Sequence, residues 1–262
     1  MMRALFTAAT GMEAQQAQID TIANNIANVG TTGFKKSRAE FQDLFYETLR
    51  APGAASADGS VLPTGVQVGH GVQLGAINTI FSAGDRLNTG NQLDMAIDGL
   101  GFFQVQRPNG DSVFTRDGTF KLNADGNLVT AQGYQVLPNI TVPPDAISVT
   151  VLPDGTVNAE QAGNSTPLNL GQIQLVRFAN PAGLRMVGGN LFEATNASGD
   201  PEAGLPEQNG FGAIAAGFLE GSNVEVAEEL VQMILAQRAF EVSSRVIQAG
   251  DEMLRIASQL SQ

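Results

Sequence analysis

The sequence predicts an α+β protein in which long helices at the two termini form a coiled coil and an antiparallel β-rich domain is inserted between them. Apolar residues repeat every seven positions at both ends of the chain. Strand-length apolar runs fill the middle, and Asn-Gly or Asp-Gly dipeptides separate them. Heptads indicate coiled-coil helices, whereas short runs divided by such dipeptides indicate β-hairpins.

The C-terminal helix is predicted over residues 222–260, a stretch without proline in which Ser222 or Asn223 is placed to cap the first turn. At 1.5 Å rise per residue it would be roughly 50 Å long, too long for one small core to cover. Its apolar stripe therefore needs a partner helix. The stripe consists of Val226, Leu230, Met233, Phe240, Ile247 and Leu254.

The partner is predicted at the other end of the chain, over residues 3–28. Its stripe consists of Leu5, Met12, Ile19, Ile22 and Ile26. An ordinary amphipathic helix on a globular domain would explain one such pattern. Two of them at opposite ends favour a left-handed coiled coil, either between the two termini or with neighbouring copies of the chain.

Asn24, Asn25 and Asn28 lie near the predicted end of the first helix, before Gly30 and the Thr31-Thr32-Gly33 turn. One interpretation is that they cap and end the helix. The other is that they form a polar face that hydrogen-bonds to adjacent subunits. The sequence leaves both open.

The next segment is ambiguous. Residues 39–49 fit either a short helix or a twisted hairpin strand, because their apolar periodicity matches both. Residues 50–75 are rich in Gly, Ala, Ser and Pro and nearly free of charge, so composition favours a disordered linker. The last part of this stretch, GVQVGHGVQLG, alternates apolar and polar residues and can extend as an edge strand.

The β-rich domain is predicted over residues 96–184 as an antiparallel sheet folded on itself, a small sandwich or barrel. Asn109-Gly110, Asp117-Gly118, Asp125-Gly126 and Asp154-Gly155 suit tight hairpin turns. The predicted strands are 102–106, 112–115, 119–122, 127–130, 134–137, 148–152 and 173–178. We expect three regions: a helical domain of 1–33 and 222–262, an extended connecting region of 34–95 and 185–221, and the outer β domain of 96–184.

The composition argues against several classes of protein. The net charge is −12 with only 15% charged residues, which disfavours binding to nucleic acid or to an anionic membrane. No apolar run reaches the roughly 18 residues that a membrane span needs. The chain has no cysteine, and its N-terminus lacks the apolar core of a cleaved signal peptide. We therefore expect neither nucleic acid nor membrane insertion.

We predict no catalytic residue, no metal site and no cofactor. His70 is the single histidine and has no ligand-type neighbours in the sequence. The Gly210–Ala215 run resembles a dinucleotide motif but lacks the strand–turn–helix context that gives it meaning. Asn123, Asp125 and Asn127 resemble half of a calcium loop without its distal glutamate, and a hairpin turn explains them equally well.

The segment TIANNIANVGTTGFKKSRAEF resembles the signature of bacterial flagellar axial proteins, the rod and hook subunits. SNVEVAEELVQMILAQRAFEVSSRVIQAGDEML is similar to the matching C-terminal end of that family. The resemblance continues through LDMAIDGLGFFQV and VFTRDGTFKLNADGNLVTAQGYQVLP, so it covers nearly the whole chain in order. The signature positions are Asn24, Asn25, Asn28, Thr32, Gly33 and Phe34.

The resemblance implies a structural subunit of the flagellar basal body that assembles into the rod, the tubular shaft between motor and hook. Its implied partners are copies of itself, proximal rod proteins, hook or hook-junction proteins, and the surrounding periplasmic and outer-membrane ring proteins. It also implies export by the flagellar type III apparatus without a cleaved signal. The stretch 50–75 looks like a rod-specific segment that packs between subunits, with Pro52, Gly53, Leu62, Pro63 and Gly65 as its marker residues.

Two alternatives remain. A secreted, adhesin-like β module could be carried on a coiled-coil stalk, or the chain could be a hook or proximal rod subunit. An adhesin stalk normally needs one long heptad region on one side of its head. This chain divides its heptads between both ends, which favours a tube with helices inside and sheets outside.

Overall fold

The computed structural model describes residues 2–53, 64–161 and 166–260. It confirms the α+β class, with a helix at each end and antiparallel strands between them. The helices are α1 (Met2–Ala27) and α2 (Val226–Leu260). The strands are β1 (Ser37–Asp43), β2 (Tyr46–Arg50), β3 (Val66–Gly69), β4 (Val72–Thr79), β5 (Arg86–Asn88), β6 (Met95–Asp98), β7 (Phe102–Gln106), β8 (Ser112–Thr115), β9 (Phe120–Leu122), β10 (Leu128–Thr130), β11 (Gln135–Leu137), β12 (Ala146–Val151), β13 (Thr156–Gln161), β14 (Leu168–Gln172), β15 (Leu175–Arg177), β16 (Arg185–Gly188), β17 (Leu191–Glu193), β18 (Glu202–Gly204), β19 (Ala213–Ala216) and β20 (Phe218–Glu220).

The chain folds as two compact units, and their boundaries differ from the three regions expected. The helix–ribbon unit comprises Met1–Ile26, Ser37–Asn78 and Glu225–Gln262, and the β unit comprises Ala27–Lys36 and Thr79–Val224. Residues 37–78 thus join the terminal helices. Residues 185–221 join the β domain because their strands pair with earlier ones: β17 with β8, β18 with β15, β19 with β6 and β20 with β5.

In the helix–ribbon unit, β1 to β4 form one long antiparallel ribbon. β1 pairs with β4, and β2 pairs with β3. A bond from the Leu44 amide to the Gly71 carbonyl, 2.9 Å, joins the two pairs. Residues 37–50 are therefore strands, which resolves the ambiguity between helix and hairpin. The alternating GVQVGHGVQLG segment supplies β3 and much of β4, as its pattern predicts.

The ribbon lies against a side of α1 that carries small residues. The Thr10 hydroxyl accepts a hydrogen bond from the Val72 amide at 3.4 Å. Ala14 and Thr21 are buried, and Ala17 and Thr21 lie beside Ile77 of β4. Small side chains spaced three and four residues apart give a shallow surface on which a flat ribbon can lie closely.

The β unit is built around β7, which is buried on both faces. Its main sheet runs β16-β17-β8-β7-β11-β10-β9, and β15 joins β7 beside β11 and pairs with β18. Side chains alternate across a strand, so Phe102 and Phe103 point to opposite faces. Phe103 packs edge-on against Phe120 at 5.0 Å between ring centres, and Phe102 lies 5.9 Å from Phe178. Each face thus has its own aromatic core.

Smaller sheets complete this unit: β12-β13-β14, β6 with β19, and β5 with β20. Within the described residues, β9 and β16 each pair on one side only, so the main sheet is open and not a closed barrel. All seven strands predicted between residues 102 and 178 are present, with ends that agree to within two residues. One reason is that turn dipeptides delimit five of these strands locally, those at 102–106, 112–115, 119–122, 127–130 and 148–152.

The predicted turns form, but one works differently. Gly110, Gly126 and Gly155 have positive φ angles of 91°, 79° and 84°, as tight hairpin turns require. Gly118 does not have a positive φ. A Cβ there would collide with the Met95 carbonyl, whose carbon would lie 2.7 Å away. Glycine is needed at this position because another backbone approaches closely.

Candidate assembly surfaces

The helices α1 and α2 lie antiparallel in the helix–ribbon unit. Asn25 contacts Glu229, Gly11 lies beside Ser243, and the Leu5 side chain lies over Gly250. The step from Asn25 back to Gly11 equals the step from Glu229 forward to Ser243, two heptads on each helix. The register is therefore constant along this contact, as heptad packing requires.

The predicted stripe residues occupy varied positions in this unit. Ile22 is buried, and Leu5, Met12, Ile19 and Ile26 are half-buried. On α2, Met233, Ile247 and Leu254 are half-buried, whereas Phe240 is 37% exposed, Val226 41% and Leu230 46%. The least exposed positions of α2 also include Glu229, Ala236, Ser243 and Gly250. Small and polar side chains thus alternate with the apolar ones along the side that α1 covers.

Glu229, rather than Leu230, reaches the buried side of α2 because Asn25 provides a polar partner. Glu229 is only 6% exposed, and its carboxylate accepts a hydrogen bond from the Asn25 amide at 3.1 Å. The same Asn25 side chain donates to the Ser37 carbonyl at 2.8 Å and accepts from the Ser37 amide at 2.9 Å. Asn25 therefore joins α1, α2 and β1 within one chain, a role that neither interpretation of the asparagines had included.

The other signature residues lie at or after the end of α1. Asn24 lies beside Ser37 and Ile77, and the Asn28 side chain accepts a bond from the Thr31 hydroxyl at 3.2 Å. In the β unit, the Thr32 hydroxyl donates to the Asp117 carboxylate at 3.0 Å. Gly33 has φ 67°, and its amide donates to the Glu220 carbonyl at 2.8 Å.

The turn that Phe34 closes belongs to this same segment. The Phe34 amide donates to the Thr31 carbonyl at 3.3 Å, and the Phe34 side chain is half-buried. The signature segment thus ends α1 and anchors the chain inside the β unit. Two interpretations of Asn24 and Asn28 stay predictions: that they contact adjacent subunits, and that they cap and end the helix.

A second apolar stripe, which we call the outer stripe, runs along α2. Its members are spaced alternately four and three residues apart: Leu235, Ala239, Val242, Val246, Ala249, Met253 and Ile256. Leu235, Val242 and Met253 are 58%, 60% and 52% exposed. At 100° per residue, the outer stripe lies about a third of a turn around α2 from the side that α1 covers. A helix with two heptad stripes can contact two different helices at once.

A buried charged cluster, the triad of Lys35, Arg116 and Glu220, lies in the β unit. Their exposed fractions are 1%, 3% and 2%. The Glu220 carboxylate accepts from Lys35 Nζ at 2.5 Å and from the Arg116 guanidinium at 3.2 Å. Lys35 Nζ also donates to the Ser82 carbonyl at 2.7 Å, and Arg116 donates to the Gly99 carbonyl at 2.8 Å.

Two cations thus share one carboxylate. Carbonyl oxygens and the face of the Phe102 ring stabilise the excess positive charge, and the centre of that ring lies 5.4 Å from the Arg116 guanidinium carbon. Burial lowers the pKa of Lys35 and that of Arg116, and the Glu220 carboxylate opposes both shifts. Nothing in the sequence indicated this cluster, because its members lie far apart along the chain.

Three of the five residues predicted as markers in the stretch 50–75 lie next to strands of the ribbon. Pro52 and Gly53 follow β2, and Gly65 directly precedes β3. Leu62 and Pro63 fall outside the described residues. Phe45, Tyr46 and Leu49 of the ribbon are 91%, 54% and 58% exposed. A two-stranded ribbon is barely stable alone, so these side chains offer a surface for packing against a further element.

Within the described ranges, no three His, Asp or Glu side chains converge as metal ligands, and no helix is both long and apolar enough to cross a bilayer. An open groove of about 740 Å³ lies in the β unit between the loops at 90–93 and 123–126 and the strand β12. Asp125 is the one ionisable side chain among its described lining residues.

Three family models match the chain. "Flagella basal body rod protein" matches residues 5–35, "Flagellar hook protein FlgE/F/G D1 domain" matches residues 96–159, and "Flagellar basal body rod FlgEFG protein C-terminal" matches residues 215–260. They fall on α1 and the signature segment, on the centre of the β unit, and on β20 together with α2.

Several known proteins are similar to this chain along nearly their whole length. The flagellar basal-body rod protein FlgG of Borreliella burgdorferi is 49% identical over 262 residues, covering 99% of both chains. FlgG of Agrobacterium fabrum is 47% identical, covering 98% of this chain and 99% of the relative. FlgG of Bacillus subtilis is 41% identical, covering 97% of each.

Proposed function

Because this chain belongs to the family of flagellar basal-body rod proteins, a structural component of the flagellar basal body, we propose that it assembles with copies of itself into the tube of the distal rod. In this proposal the terminal helices line the tube and the β units face outwards. The tube carries torque from the motor to the hook. The role is structural rather than enzymatic, which the family membership supports.

The outer stripe is the observation that supports assembly through α2. Its seven members continue a heptad repeat over residues 235–256, yet α1 covers a different side of the helix. A helix stripe of this length gains stability when a second helix covers it, at about 1.5–3 kcal/mol for each large apolar side chain buried. The occupant we propose is a helix of a neighbouring copy. A contact that repeats without closing produces a helical tube.

A charge placed on the outer stripe tests this assignment. Val242→Asp puts a carboxylate at a stripe position that is 60% exposed in the single chain. It should prevent tube formation by the purified protein while the β unit melts as in the wild type, since burying an unpaired charge is costly. The matched control is Gln248→Asp, which introduces the same side chain at an exposed α2 position off the stripe.

Electron microscopy and sedimentation of the assembled fraction provide the measurement. Loss of tubes in Val242→Asp together with tubes in Gln248→Asp supports the proposal. Tubes in Val242→Asp, or the same loss in both variants, would show that the outer stripe has no special part in assembly.

The ribbon has a separate proposed role as a stiffener packed between subunits. Its exposed Phe45, Tyr46 and Leu49 support this proposal. Deleting Ala54–Leu62 should leave secretion intact but produce bendable or misassembled tubes. Tubes of normal straightness after the deletion would favour a passive linker.

The remaining partners follow from the position of a distal rod in the basal body. We propose contacts with proximal rod proteins at one end and with hook or hook-junction proteins at the other. Periplasmic and outer-membrane ring proteins would surround the outward-facing β units. Export by the flagellar type III apparatus, without cleavage of a signal, belongs to the same proposal, and localisation to the basal body supports it.

A further inference from the structure

The chain crosses four times between the two units, and three of these crossings belong to segments of the β unit whose ends lie close to one another. The first segment ends at Lys36, the second begins at Thr79 and the third ends at Val224, whereas the fourth crossing, at Ala27, follows α1. Within the β unit, the Ile80 amide donates to the Lys36 carbonyl at 2.9 Å, which joins the first two segments.

The side chain of Asn223 joins all three. Its carbonyl oxygen accepts from the Lys36 amide at 2.7 Å. Its amide nitrogen donates to the Ile80 carbonyl at 2.8 Å and to the Ser82 hydroxyl at 3.0 Å. One side-chain amide offers two donors and one acceptor oxygen, so Asn223 uses both kinds of group. Asn223 therefore bridges two backbones and does not cap α2, which begins at Val226.

The buried triad fastens the same three segments a few residues further inside. Lys35 belongs to the first segment and bonds the Ser82 carbonyl of the second. Glu220 belongs to the third segment and accepts from Lys35 and from the Gly84 amide, at 3.1 Å. Hydrogen bonds between charged partners in a low-dielectric interior are about twice as strong as neutral ones.

We infer that Asn223 and the triad form a torsion-resisting joint, in which Asn223 is the positioning residue. A single polypeptide link twists readily, because each residue has two soft backbone dihedrals. Three links held to one another cannot twist independently. Load applied to α2 and to the ribbon then reaches the β unit through all three links together. This inference rests on the proposed function, since only a torque-carrying tube requires such stiffness.

The test compares Asn223→Ala and Asn223→Asp with the wild type. Asn223→Ala removes both halves of the bridge, whereas Asn223→Asp keeps the oxygen that accepts from Lys36 and loses the donor to Ile80. Asn169→Ala is the control, because Asn169 is an exposed asparagine whose side chain, among the residues that the structure describes, accepts from the nearby Gly171 amide at 2.9 Å.

Amide hydrogen exchange in the monomer is the first readout. The Ile80 amide bonds the Lys36 carbonyl and does not touch Asn223. If the three segments act as one joint, this amide exchanges about two- to tenfold faster in both Asn223 variants, the change expected for one lost hydrogen bond. The Lys36 amide accelerates in Asn223→Ala and stays protected in Asn223→Asp. Unchanged exchange at Ile80 in both variants overturns the inference, even if Lys36 responds.

Tube stiffness is the second readout, measured as persistence length in electron micrographs. Asn223→Ala tubes should form in normal amounts with the β unit still folded, yet bend more than wild-type or Asn169→Ala tubes. Equal stiffness overturns the mechanical role. If the wild-type protein forms no tubes at all, the proposed function fails, while exchange at Ile80 still decides whether the joint exists.

Discussion

At the scale of single residues, Glu220 holds the least replaceable position in the β unit. It is the single carboxylate between the buried cations Lys35 and Arg116. Glu220→Gln would leave both cations without a counter-charge, so we expect the β unit to lose about 3–5 kcal/mol. Lys35→Met should cost less, because Arg116 and Glu220 still pair. Chemical denaturation of the two variants measures the difference, and equal losses would contradict this view of the triad.

The triad also predicts a pH dependence. Burial lowers the pKa of Lys35 from its ordinary value of 10.5, so above the lowered pKa the unfolded chain binds more protons at this site than the folded chain. Burying the charged amine therefore lowers the free energy of unfolding by its largest amount below the lowered pKa, and this cost decreases as the pH rises towards 10.5. The free energy of unfolding of the wild type relative to Lys35→Met should increase over this window. A decrease would mean that the ion pair with Glu220 outweighs burial.

Two buried polar features, the triad and Glu229, could not be predicted from the sequence. The triad joins residues 35, 116 and 220, and no local pattern connects positions so far apart. Lys35 appears in the sequence as part of a small basic group, and only the fold reveals that it is buried. The apolar character of Leu230 predicts a place in the stripe, but the neighbouring Glu229 is buried instead, because Asn25 satisfies its carboxylate.

At the scale of elements, the terminal helices and the strands of the β domain could be predicted because their signals are local. Heptads determine which side of a helix is apolar, and turn dipeptides delimit strands. Residues 39–49 could not be assigned, since their strands exist only through pairing with 66–79. The outer stripe has a seven-residue spacing in Leu235, Val242, Ala249 and Ile256 that the prediction from the sequence missed, and distinguishing it from the α1-facing side requires the α1–α2 contact.

Phe240 provides a prediction for α2. It lies at the centre of the α1-facing heptads and remains 37% exposed in the single chain. Phe240→Ala should remove roughly 3–5 kcal/mol per subunit from the assembled tube, the usual cost of truncating a buried aromatic. The β unit should melt unchanged and secretion should persist. The neighbouring Glu241→Ala is the control. Intact assembly with a destabilised monomer would place Phe240 in an intramolecular core.

The two glycines at the α1–α2 contact should respond differently to alanine. A Cβ at Gly11 would lie 3.6 Å from the Ser243 hydroxyl, an ordinary contact, so Gly11→Ala should gain about 1 kcal/mol of helix propensity. A Cβ at Gly250 would lie 2.6 Å from a Leu5 methyl, which must move. The temperature at which tubes dissociate should therefore rise for Gly11→Ala. For Gly250→Ala it should rise less, or fall. The opposite order would contradict the register of the helices.

At the scale of the whole molecule, the two units differ in what they bury. The β unit has two aromatic cores, whereas the α1–α2 contact includes small residues such as Gly11, Ser243 and Gly250, and α2 leaves large apolar side chains exposed. A contact of this kind offsets little of the conformational entropy that ordering a helix costs. We therefore expect the terminal helices to become stable only when neighbouring copies cover them, a state that also suits passage of the chain through a narrow export channel.

Amide hydrogen exchange, recorded on the verified monomer and on assembled tubes, tests whether the terminal helices become stable only on assembly. In the monomer, residues 1–28 and 226–262 should exchange quickly and be cut by protease, while residues 96–184 are protected. In tubes the terminal residues should become protected as well. Strong protection of both termini in the monomer, unchanged by assembly, would contradict the claim that the rod is built by folding these helices against neighbouring subunits.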